Sequence, residues 1–248
     1  MNYQTYNRIR KAFFKKYFSL YHRLEVKGIE NIPKGPALIV SNHSGGFDLD
    51  ILCLSDLCHP TRNIQVLIMD KYHYINHIWG RYWVGSGIPL WLTGGIRWRY
   101  INPYLHKNGS QYPGLVAMFA EGDSGEFKYR HLLNKFYPGA VRIALRYKVP
   151  IVPAGMIRFH KISPILKRVR HDHGPSDPIL FPPITFPFKA TVEFGTPFEL
   201  TDYYDRSLLK EEEYWIANRI IRPRVAKILM KYQKIQLTKI DVKMKKPS

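Results

Sequence analysis

A series of short uncharged apolar runs, each about the length of a strand, limits the fold most. PALIVSN (36–42), VLIM (66–69), GIPLWL (87–92), LVAMFA (115–120) and VPIVPAGMI (149–157) are of this kind, and KATVEFG (189–195) adds a strand with partial alternation. Helical patterns lie among them. NKFYPGAVRIALRYK (134–148) sets Val141, Ala144 and Leu145 on one side of a helix, and residues 208–237 are again helical, with Pro223 expected to kink or split them. Short apolar strands alternating with helices predict an α/β fold, a central mostly parallel or mixed sheet flanked by helices. Residues 163–188, rich in proline, read as a long irregular loop. The pattern divides the chain into an N-terminal amphipathic segment (1–25), an α/β domain (26–205) and a C-terminal helix with a basic tail (206–248) packed on or beside that domain.

The N-terminal pattern has two readings. Ile9, Phe13, Tyr17, Leu20 and Leu24 fall at helical spacing, widened by Phe14 and Phe18, while Arg8, Lys11, Lys15 and Arg23 lie off the stripe. A basic amphipathic helix with aromatics suits a membrane interface. It equally suits a helix packed on a core with a solvated basic face. No stretch has the roughly 20 apolar residues of a spanning helix; the longest uncharged run, Tyr82 to Ile96, is broken by Gly and Pro. The first residues lack the continuous apolar stretch of a secretory signal, so a cytoplasmic protein, peripheral on the membrane, is expected.

Across the 248 residues, 38 Lys and Arg against 19 Asp and Glu leave a net charge of +19. Such a field favours an anionic partner: nucleic acid, anionic lipid, coenzyme phosphates or an acidic carrier protein. Two cysteines, Cys53 and Cys58, give neither a disulfide framework nor a zinc site. His73 and His77 stand four apart with no acidic third ligand in view, and His171-Asp172-His173 lies in the proline-rich stretch, so no metal is expected.

The stretch SNHSGGFD (41–48) follows one apolar run and precedes another. Strand-to-helix junctions are where α/β proteins place chemistry. A neutral imidazole at His43 suits removal of a hydroxyl proton near pH 7, and Asp48 is placed to hold the second ring nitrogen. Ser44 lies beside the histidine, but the Gly-x-Ser-x-Gly elbow of a serine hydrolase is missing. The plain alternative is a glycine turn in which Asp48 caps the next helix.

Three blocks in order carry a resemblance. HSGGFD with its lead-in GIENIPKGPALIVSN, then FAEGDSGE (119–126), then KFYPGAVRIALRYKVPIVPAG (135–155) resemble the His-x-x-x-x-Asp, Phe-Pro-Glu-Gly-Thr-Arg and Val-Pro-Ile-x-Pro blocks of the glycerolipid acyltransferases, the family that includes lysophosphatidate acyltransferases. The resemblance, over roughly residues 25–200, implies His43 as general base oriented by Asp48, with Glu121, Gly122, Asp123 and Ser124 at the acceptor. It implies acyl-CoA or acyl-carrier protein as co-substrate, no other cofactor, and membrane lipids as partners. The chain departs from the pattern where the family grips phosphate: Asp123 and Ser124 replace Thr-Arg, and Leu92 falls at a further arginine position. Arg97 and Arg99 are the nearest substitutes. The acceptor is otherwise a monoacylglycerol, a diacylglycerol, a lysolipid with another headgroup or a glycolipid. Two other functions fit parts of the sequence: a non-catalytic lipid binder built on the same fold, and a basic nucleic-acid-binding protein, the latter without any recognised binding module.

Overall fold

The uncharged runs pair side by side in a single sheet. The computed structural model describes residues 3–46, 48–62, 64–69, 87–90, 105, 114–169, 177–180 and 184–247. Its elements are α1 (Tyr3–Leu20), β1 (Glu25–Lys27), β2 (Ala37–Ser41), α2 (Leu49–Asp56), β3 (Ile64–Met69), β4 (Gly87–Leu90), β5 (Leu115–Phe119), β6 (Leu132–Leu133) and α3 (Gly139–Tyr147). They continue with β7 (Ile151–Ile157), α4 (Phe159–Ile162), β8 (Lys167–Val169), β9 (Asp177–Leu180), β10 (Thr191–Phe194), α5 (Lys210–Ile216), α6 (Arg222–Met230) and β11 (Gln236–Leu237).

The seven-stranded sheet has the order β1-β10-β7-β2-β5-β3-β4. Only the β7–β10 pairing is antiparallel, so the sheet is mixed and mostly parallel. The lack of polar residues in these runs follows from burial on both faces. Along β2, Leu38 and Val40 enter one core with α3, α5 and α6, while Ala37 and Ile39 enter the other with α1 and α2. Val116 and Met118 of β5 face the first core and Ala117 and Phe119 the second, the period of two that a strand imposes.

Three expectations change in detail. The α1 residues that reach the core are Phe14 and Phe18, while Ile9, Phe13 and Leu20 of the anticipated stripe are 55%, 62% and 70% exposed. Residues 163–188 are not wholly irregular, since β8 and β9 pair antiparallel within them. Pro223 neither splits nor breaks the C-terminal helix. Its missing N–H and bulky ring are absorbed by a π-helical turn over Ala217–Ile221, and helix continues on both sides.

Candidate active site

The site starts where β2 ends. The β2–β7 ladder stops at Ser41↔Ala154, and the Asn42 side chain then extends it by imitating a peptide. Met156 N–H donates to Asn42 Oδ1 (2.8 Å), and Asn42 Nδ2 donates to Met156 O (3.2 Å). Beyond it the chain turns against α4. Gly45 takes a left-handed φ of 92°, and a Cβ there would lie 2.7 Å from Phe159 O. Gly46 N–H donates to Ser163 O at 2.7 Å. The two glycines therefore serve close backbone packing.

That packing faces His43 towards the start of α2. Its Nδ1–H donates to Asp50 Oδ2 at 2.6 Å. The same oxygen accepts Ser44 N–H (2.8 Å), and Asp50 Oδ1 accepts Ile51 N–H (2.9 Å). The carboxylate that reaches Nδ1 is thus Asp50 rather than the Asp48 expected from the motif spacing. Asp48 stands one residue before α2 in a left-handed conformation, φ 50°, and Asp50, in the first turn of α2, lies fully buried behind the ring. Phe119, at the end of β5, lies against the imidazole with ring centroids 4.6 Å apart.

The electrostatics follow from this enclosure. Burial alone would lower the His43 pKa, but the charge and hydrogen bond of Asp50, with Asp48 and Asp123 behind them, carry it from 6.5 up to about 9. Burial likewise raises Asp48 to about 6, against the pull of His43.

Glu121 ties two stretches of backbone together. Its Oε1 accepts His43 N–H (3.0 Å) and its Oε2 accepts Asn134 N–H (2.8 Å). The buried carboxyl, raised by desolvation to about 7, clamps the backbone of the histidine. Gly122 N–H is also committed, donating to Phe119 O (3.0 Å), and its left-handed φ of 75° brings it against the Tyr137 ring. The C-terminal helix supports this region from behind. Buried Asn218 accepts Phe136 N–H and returns a bond to Phe136 O, while Arg222 donates to the carbonyl of Leu133.

Asp123 and Ser124 do lie beside the histidine turn, because Ser44 and Gly125 form a parallel β-bridge. Both meet a cation that the sequence reading passed over. Arg168 of β8 forms an ion pair with Asp123, donates from Nη1 to Ser124 Oγ (2.9 Å), and donates its backbone N–H to Glu126 Oε1 (2.9 Å). Arg97, Arg99, Leu92, His73, His77 and the His171–His173 group lie outside the described residues. Among the described residues no three His, Cys, Asp or Glu side chains are grouped to hold a metal ion.

Residues 23–157 match the acyltransferase family profile. The chain belongs to the acyltransferase family. The matched span contains both turns of the site but ends before Arg168. An uncharacterized protein of Mycobacterium tuberculosis is 33% identical over 215 residues, 78% of this chain and 56% of the relative. One from Mycobacterium leprae is 31% identical over 219 residues, 79% of this chain and 56% of the relative. The chain spans about half the length of the curated relatives it matches. Among solved structures, the 1-acyl-sn-glycerophosphate (LPA) acyltransferase PlsC from Thermotoga maritima superposes with a TM-score of 0.50 at 17% identity, over 92% of this chain and 83% of that one. The α/β acyltransferase fold is therefore shared.

Proposed function

We propose that the protein transfers a fatty acyl group from a thioester, acyl-CoA or acyl-carrier protein, to a hydroxyl of a membrane lipid. The observation that carries this reading is the 2.6 Å contact between His43 and buried Asp50 in a family member. With Nδ1–H held by a carboxylate, Nε2 is the nitrogen left to take a proton. In the reaction, the lipid oxygen attacks the thioester carbonyl as His43 Nε2 removes its proton. The tetrahedral intermediate then collapses, the C–S bond breaks, and the departing thiolate takes the proton back from the imidazolium. Asp50 fixes the tautomer and stabilises the charged ring, and Asp48 adds negative charge nearby. Glu121 keeps the histidine backbone in place. No enzyme nucleophile is needed.

The lipid is reached from a membrane surface on the cytoplasmic side. No described helix is long and apolar enough to cross a membrane. The exposed Ile9, Phe13 and Leu20 of α1, beside Lys15 and Lys16, suit instead the interface of an anionic bilayer. The test is mass-spectrometric lipidomics of membranes incubated with the purified protein and acyl-CoA, and then with acyl-carrier protein. Wild type should yield an acylated lipid that His43→Ala, folded by circular dichroism, does not. Equal product from both proteins would refute the reading.

A further inference from the structure

Glu121, which clamps the His43 backbone, meets a buried cation through a single peptide group. Its Oε2 accepts the N–H of Asn134 at 2.8 Å. The carbonyl of that same peptide belongs to Leu133, and it accepts from Nη2 of Arg222, 89 residues further along the chain. One peptide therefore stands between a guanidinium at its oxygen and a carboxylate at its hydrogen. Each end of its dipole favours the charge it meets, so the two charges support one another through it. Burial raises Glu121 to about 7, and its backbone partners, His43 and Arg222 oppose that rise. Burial likewise holds Arg222 below the usual arginine range, and Glu121 opposes that fall.

Packing alone does not call for a charge at position 222. The Leu133 carbonyl already accepts the N–H of Thr238 (3.1 Å) and its hydroxyl (3.3 Å), because β11 lies beside β6. A carbonyl has two lone pairs, so these donors satisfy it without a guanidinium. Arg222 is only 1% exposed, and burying a guanidinium is costly unless an opposite charge offsets it. Glu121 is the anion that bears on Arg222, while Arg219 acts against its charge. The carboxylate gains from the cation in turn. Protonated, it would carry a hydrogen on one of the two oxygens that now accept the N–H groups of His43 and Asn134, and one clamp would be lost.

We propose that Arg222, on α6, is a positioning residue for His43. Through the Leu133–Asn134 peptide it keeps Glu121 an anion that accepts both N–H groups, and so keeps the histidine turn facing Asp50. The proposal rests on the acyl-transfer reading above and adds the C-terminal helix to the site. Arg222 lies outside the span of residues 23–157 that the family profile matches.

The experiment is a double-mutant cycle on kcat, with acyl-CoA or acyl-carrier protein varied as donor and the membranes of the lipidomic assay as acceptor. Arg222→Gln keeps an N–H donor and removes the charge, and Glu121→Gln removes the charge it serves. Each should lower kcat about tenfold, the effect of one charge-assisted contact, with KM for the thioester within about twofold. The double variant should lose no more than Glu121→Gln alone, whereas independent losses multiply. Arg222→Lys, which keeps the charge, should recover most of the rate. A merely structural role leaves kcat unchanged in every variant that folds. Multiplied losses, an unchanged kcat in folded Arg222→Gln, or Arg222→Lys no better than Arg222→Gln would each overturn the proposal. If Arg222→Gln alone fails to fold, having left a buried anion uncompensated, the double variant decides: recovery of the fold supports the coupling and continued failure overturns it. Hydrogen–deuterium exchange over residues 41–46, which needs no turnover, should speed up in both single variants and no further in the double. If wild type transfers no acyl group, the acyl-transfer reading fails, and unchanged exchange in Arg222→Gln then overturns the positioning as well.

Discussion

Asp50→Asn tests the site where its geometry is most definite. The substitution keeps the shape of the side chain and removes the charge 2.6 Å from His43 Nδ1. The rise of the imidazole from 6.5 to about 9, at about 1.36 kcal/mol per pH unit, stabilises the imidazolium by roughly 3 kcal/mol. Two consequences oppose each other. With a pKa of about 9, roughly one ring in a hundred is free base at pH 7, against about three in four at 6.5, so the variant has more base available. The same charge also stabilises the imidazolium in the transition state and fixes the tautomer, and its loss should slow the proton transfer about 10²- to 10⁴-fold. At pH 7 the two effects partly cancel, so a single rate would mislead. The assay is therefore kcat/KM for acyl transfer from about pH 6 to 10. In wild type the imidazolium must lose its proton before acting as base, so activity rises with pH through about 9. In Asp50→Asn that limb should move down toward 6.5 and the plateau should fall by the factor above. A variant that keeps the wild-type limb and plateau, while Asp48→Asn loses both, would refute the assignment and restore the motif spacing as the guide.

Two further outcomes follow from the same geometry. Asn42→Ala strips partners from the buried N–H and C=O of Met156, and should cost about 2–4 kcal/mol in denaturant unfolding; a loss below about 0.5 kcal/mol would show that the turn is pinned elsewhere. Phe13→Ser removes an aromatic that is 62% exposed, and should leave the melting temperature unchanged while weakening sedimentation with anionic vesicles about tenfold. Unchanged vesicle binding would exclude α1 as the docking face.

What the sequence determined by itself was what local pattern and backbone chemistry can carry. Runs such as PALIV and VPIVPAG lack polar residues because both faces of the sheet are covered, and that constraint is written residue by residue. Strands β2, β3, β4, β5, β7 and β10, the mostly parallel sheet and the histidine on a glycine turn after β2 were legible for that reason. The choice of carboxylate was not. Asp48 and Asp50 lie five and seven residues from His43, and the left-handed backbone at Asp48 together with the start of α2 decides which one reaches the ring. Glu121 was expected at the acceptor from its family block alone, and nothing in that block shows that its two oxygens accept backbone N–H groups of His43 and Asn134, which only the folded chain brings near. On α1 the period showed an apolar side, but which of Phe13 and Phe14 turns inward depended on what packs beneath. Arg168 lies forty-four residues from Ser124, and nothing near it in sequence marks it. Hydrogen bonds and ion pairs are short-range, while the distances between their partners along the chain are set by topology. A strand therefore announces itself, but the partner of a buried charge is chosen only when the sheet and its hairpins have brought the candidates together.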